Sequence, residues 1–150
     1  MSEQLYVPHI EVLLHALRIS PERLASRSKV AIDTRLLRAL LQELAAAMPF
    51  DPAYYLAEND DIRTAHTAGQ IPDLRRHFIE SGFLEGRFGA LPKVDEAYYA
   101  ATYKDIAPAI RRGDIASGAD HYVRSGAAEG RVPHPDLRPQ VERWASILGD

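Results

Sequence analysis

Residues 51–88 align with residues 95–132 at a shift of 44 and without a gap, and 16 of the 38 paired positions are identical. Ordinary composition would leave about two or three such matches by chance. Asp51 pairs with Asp95, Tyr54 and Tyr55 with Tyr98 and Tyr99, and Asp61 and Ile62 with Asp105 and Ile106. Gly69 pairs with Gly113, His77 with His121, and Ser81 and Gly82 with Ser125 and Gly126. The run Glu85, Gly86, Arg87 returns as Glu129, Gly130, Arg131. Self-similarity at a fixed period marks a structural unit that cannot bury its apolar face alone and stacks on its neighbour. The chain is therefore expected to build its core from two tandem copies of one block.

The punctuation of a block is helical. Asp51 followed by Pro52 reads as an N-cap with proline in the first turn, where the missing N–H is no loss. A short helix over Ala53 to Ala57 is broken at Asn59 to Asp61, and a second runs from about Asp61 to Ala68. Gly69 stands where a left-handed residue ends a helix. Pro72 and Asp73 open a third helix through Arg75, Arg76, His77, Phe78 and Ile79, and Gly82 is expected to end it. Glu85, Gly86 and Arg87 read as a compact corner in which the glycine takes positive φ while arginine and glutamate pair. No stretch alternates apolar and polar residues long enough to argue for a strand.

Outside the copies, Pro8 and the Ser20–Pro21 pair each open a helix, and the longest helix is expected from about Ile32 to Met48. Its Leu36, Leu37, Leu40, Leu41 and Leu44 make a broad amphipathic stripe. Near the C-terminus Val141, Trp144, Ile147 and Leu148 share a helical face expected to pack on the body or on a partner. The fold class is all-α: a compact array of short helices, two tandem repeats of about 44 residues capped by an N-terminal helical segment. The divisions are 1–49 for the N-terminal segment, 50–93 and 94–133 for the two copies, and 134–150 for the C-terminal helix, expected to form one domain.

Composition removes several functions. Among 150 residues there is no cysteine, which excludes disulfides, a cysteine nucleophile and cysteine-ligated metal. The net charge is −3, with six basic against five acidic residues in 1–49 and twelve against sixteen in 50–150. Neither part attracts a polyanion, and the basic belt of Arg18, Arg23, Arg27, Lys29, Arg35 and Arg38 is diluted by Glu22, Asp33 and Glu43. The charge thus argues against nucleic acid. No apolar run suits a membrane span. Met1 to Gln4 lack the basic and apolar regions of a signal peptide, so cytoplasm is the default expectation. Phosphate-cradling glycine loops, zinc-binding helices and nucleophile elbows are missing from the sequence, which argues against an enzyme and implies neither catalytic residue, metal nor cofactor.

Asp51-Pro52-Ala53-Tyr54-Tyr55-Leu56, then Asn59, Asp61 and Ile62, then His77, Phe78, Gly82 and Glu85-Gly86-Arg87 make up a recognisable pattern, which the second copy repeats. It resembles the tandem units attached to large bacterial glycosyltransferases and other cell-surface polysaccharide proteins; similar units accompany some secreted calcium-repeat proteins. The likeness covers roughly residues 50–133. Where the pattern has Asn-Pro-Asp, this chain reads Asn59-Asp60-Asp61 and Tyr103-Lys104-Asp105. The resemblance implies an accessory role near glycan biosynthesis and supplies no catalytic residue.

Candidate contact residues follow from these readings. Intramolecular core is the default reading of the leucine face, and Leu37, Leu41 and Leu44 are the candidates to meet a protein partner or to seam a homo-oligomer. Arg87 and Arg131 would present guanidinium groups to a carboxylate or phosphate, or else lock their own corners. A glycan-binding alternative has Tyr55 and Tyr99 stacking on sugar rings, one tyrosine of each adjacent pair being core and the other half-exposed. His77 and His121, one per copy, suit packing better than a shared metal site.

Overall fold

The computed structural model describes Tyr6 and residues 8–149. The reading of Met1 to Gln4 lies outside the described residues. Those residues are all-α, ten short α-helices with no strand, and they fall into two compact units, Met1–Met48 and Pro49–Asp150.

The first unit holds α1 (Ile10–Leu17), α2 (Pro21–Leu24) and α3 (Thr34–Ala46). Ser20 caps α2 by accepting from the Arg23 N–H at 3.2 Å, and Asp33 caps α3 through the Arg35 N–H at 2.9 Å. α3 is shorter than its apolar pattern suggests, because its cap is Asp33 and its last turn closes at Ala46. Leu14 and Ala45 are the buried residues of this unit among those described.

The second unit begins with α4 (Pro52–Glu58), α5 (Asp60–Thr67) and α6 (Leu74–His77). Asp51 accepts from the Ala53 and Tyr54 N–H groups, as a cap followed by proline should. Gly69 adopts φ +74, the left-handed stop expected there. α6 then widens into a π-helical turn, Phe78–Gly82, in which the Phe83 N–H reaches back to the Phe78 carbonyl at 2.8 Å. The second copy gives α7 (Glu96–Thr102), α8 (Ile106–Arg112), α9 (Gly118–His121) and an equivalent π turn, Tyr122–Gly126. A 3-10 turn at Pro135–Leu137 leads into α10 (Arg138–Leu148).

Two glycines per copy carry different duties. Gly86 (φ +82) and Gly130 (φ +71) hold the left-handed corner before the arginine. Gly82 and Gly126 each close their π turn, and their φ is not positive. They are glycines because a Cβ there would collide with the hydroxyl of Tyr55 or Tyr99. Each copy is also tied at its ends: the Asp51 N–H donates to the Gly89 carbonyl, and the Asp95 N–H to the Pro133 carbonyl, both at 2.9 Å.

Candidate functional site

Tyr55 and Tyr99 have no exposed surface and sit at the centre of their copies. The hydroxyl of Tyr55 lies 3.0 Å from His77 Nδ1, and that of Tyr99 lies 3.0 Å from His121 Nδ1, with the direction of each bond set by the imidazole tautomer. Burial pushes both phenols up to about 12. The histidine's partner is thus a tyrosine, rather than a carbonyl or an aspartate. A buried ring cannot stack on a sugar, which corrects the glycan-stacking assignment: adjacent helical residues point about 100° apart, and the half-exposed member of each pair is Tyr54 or Tyr98.

Arg87 donates from Nη1 and Nη2 to both carboxylate oxygens of Asp61 (3.0 and 2.7 Å) and from Nε to Glu85 (2.8 Å). Arg131 does the same to Asp105 (3.0 and 2.9 Å) and Glu129 (2.5 Å). Hydrogen bonds from the arginines hold Asp61 and Asp105 below the usual carboxylate range. The two guanidinium groups themselves rise, each chiefly through its aspartate. Most donors of each fork are spoken for inside the copy, which makes Arg87 and Arg131 corner locks by geometry. What else each fork meets differs between the copies. Asn59 Oδ1 accepts from Arg87 Nη1 at 2.7 Å, whereas the Tyr103 ring lies under Arg131 at 4.7 Å and its hydroxyl accepts from the Val132 N–H at 2.6 Å.

The α3 leucines stand differently. Leu37, Leu40 and Leu44 are exposed, Leu44 by half, while Leu36 and Leu41 are half-buried. Arg35, in the first turn of α3, is paired with Asp33.

Two of the concave features in the second unit are walled in part by the second copy. A groove of about 360 Å³ between the copies is lined by Tyr54, Glu58, Glu85, Arg87, Phe88 and Arg124, among others. Burial first, and then the charge of Glu58, raise the Tyr54 phenol. The second is a cleft of about 260 Å³ between copy two and α10, with Tyr122, Ala127, Val141 and Trp144 in its wall. α10 docks through its first turn, where Arg138 donates to the Tyr98 hydroxyl at 2.8 Å. Its far end leaves Trp144 57% and Leu148 76% exposed. The sequence reading did not single out Ala127, although its pairing with Phe83 in the repeat alignment was the available signal. It also missed Glu96, whose carboxylate accepts from the Gly118 and Ala119 N–H groups and caps α9 from 22 residues away. No group of three or more metal-ligating side chains is found among the described residues.

No protein-family model matches the chain, and neither does any curated protein or any solved structure. No helix among the described residues is long and apolar enough to cross a membrane.

Proposed function

We propose that the chain is a non-catalytic protein-interaction module, an adaptor or regulatory subunit, that offers the leucine face of α3 to a protein partner or to a second copy of itself. What supports this reading is the division of labour between the units. The letters shared by the copies (Tyr55, His77, Gly82, Asp61, Arg87 and their equivalents) are consumed by contacts inside each copy. Part of the apolar stripe of α3 has no such employment: Leu37, Leu40 and Leu44 lie open, beside the half-buried Leu36 and Leu41. An exposed stripe of this kind on a helix is a docking feature more often than an accident. Service in bacterial surface-polysaccharide or glycosyltransferase machinery is the context proposed from the repeat's resemblance alone.

The test replaces Leu37 or Leu44 by Glu and measures solution mass together with capture of a stoichiometric partner from the native host. Loss of self-association or capture, with helicity intact, is the expected outcome. A monomer that captures nothing in its unaltered form overturns the reading.

A second reading, direct glycan binding, is favoured by one feature: the open groove that combines the Tyr54 ring with Arg87, Arg124 and two glutamates. It requires that oligosaccharide titration perturb tyrosine emission and that Tyr54→Ala remove the response.

A further inference from the structure

Phe78 and Tyr122 occupy equivalent positions in equivalent π turns, yet their surroundings differ. Phe78 has Phe50 at 5.5 Å, Tyr55 at 5.8 Å and Phe83 at 6.2 Å between ring centroids, and it is 1% exposed. Tyr122 keeps Tyr99 at 6.1 Å and gains Phe88 of the first copy at 6.2 Å. The positions of Phe50 and Phe83 are taken by Val94 and Ala127. Two rings are therefore missing around Tyr122, which stays half-buried and forms a wall of the cleft under α10.

The cleft is small and mostly apolar. Its volume, about 260 Å³, falls below the usual range of small-molecule sites, about 300–1,000 Å³. Its apolar wall is Tyr122, Ala127, Pro133, Leu137, Val141 and Trp144, and the one guanidinium beside it, Arg131, is already held by Asp105 and Glu129. The apolar surface continues beyond the cleft onto Trp144, Ile147 and Leu148, at helical spacing on α10 and all largely exposed. A free aromatic molecule would fill the cleft and leave this rim wet. A helix carrying the ring would cover both, with the ring as anchor and the rim excluding water around it.

We propose that the Tyr122–Trp144 cleft binds a phenylalanine side chain presented by an amphipathic helix of a partner protein, in the place that Phe83 fills for the first copy. The cleft is built from other residues than the leucine face of α3, so each reading has its own test.

Trp144 is the only tryptophan and lies in the cleft wall, so it reports occupancy directly. The probe is a tryptophan-free amphipathic helical peptide with a single Phe between leucines, together with its Phe→Ala twin. The Phe peptide is expected to blue-shift Trp144 emission saturably, and the twin to bind at least tenfold more weakly. Ala127→Phe, which restores the missing ring from within, is expected to abolish the shift and raise the melting temperature. Ala127→Leu serves as the smaller filler if the first variant does not fold. Absence of any shift up to millimolar peptide, equal binding by the two peptides, or binding undiminished in the filled variants overturns the proposal. Saturation by N-acetylphenylalanine amide at the concentrations where the peptide saturates overturns it too, as a small-molecule site.

Discussion

The two copies keep the same skeleton of polar bonds and differ in how they fill the space around it. The tyrosine–histidine pair sits at 3.0 Å in each, the arginine fork reaches the same aspartate and glutamate, and the glycine under the hydroxyl is retained. Apolar filling diverges: Phe50 and Phe83 in one are Val94 and Ala127 in the other, and Asn59 gives way to Tyr103 beneath the arginine. Directional bonds tolerate little substitution, because a buried donor or acceptor left alone costs its full desolvation. Apolar volume can be redistributed when a neighbour supplies it, as Phe88 supplies a ring to Tyr122. The second copy is packed in part by its neighbours, and the first mostly by itself.

Truncating the central ring breaks this comparison most strongly. Phe78→Ala is expected to cost about 4 kcal/mol, in line with a fully buried ring, and Tyr122→Ala about half of that; equal losses in urea unfolding followed by circular dichroism would refute the asymmetry. Gly82→Ala and Gly126→Ala should each cost about 3 kcal/mol, because the new methyl meets the tyrosine hydroxyl in both copies. Pairing each with Tyr55→Phe or Tyr99→Phe should recover part of the loss, which a double-mutant cycle would measure. Arg87→Gln and Arg131→Gln should be milder, about 1–2 kcal/mol. The second should also be sensitive to Tyr103→Asn, which removes the ring beneath the guanidinium.

Further expected effects come from pH. Asp61 and Asp105 have lowered values in the folded chain, so their contribution is complete above the unfolded carboxylate range, near 3.9, and fades as pH falls through the lower folded value. Asp61→Asn with Asp105→Asn should flatten the melting temperature below pH 4. Tyr55 and Tyr99 behave oppositely. Raised to about 12, they stabilise the fold below pH 10 and lose that contribution as pH climbs toward 12. Tyr55→Phe with Tyr99→Phe should remove the alkaline loss.

Local chemistry was readable from the sequence wherever one residue acts on its own backbone. The caps at Ser20, Asp51 and Asp73, the left-handed stops at Gly69 and Gly113, and the corner at Gly86 follow from side-chain reach and glycine's freedom. The all-α class follows from the same punctuation. What escaped depends on meetings across 20 or more residues. The reason for Gly82 lies in Tyr55, the histidine's partner is that same tyrosine, and the cap of α9 comes from Glu96. Adjacent Tyr54 and Tyr55 announce one inward and one outward ring without saying which is which, and only the π turn beneath decides it. The open state of Leu37 and Leu44 was equally hidden, since an amphipathic stripe looks alike whether it is covered or bare.

One backbone bond closes each copy upon itself, from Asp51 to Gly89 and again from Asp95 to Pro133. Entry and exit thereby lie side by side, and the locks of a copy fall between them. A gene that slips by one such length during copying adds or removes a module whose polar wiring arrives complete, and the greasy seams between modules must then be tailored. The mismatch of Phe83 and Ala127 is the kind of mark that such tailoring leaves.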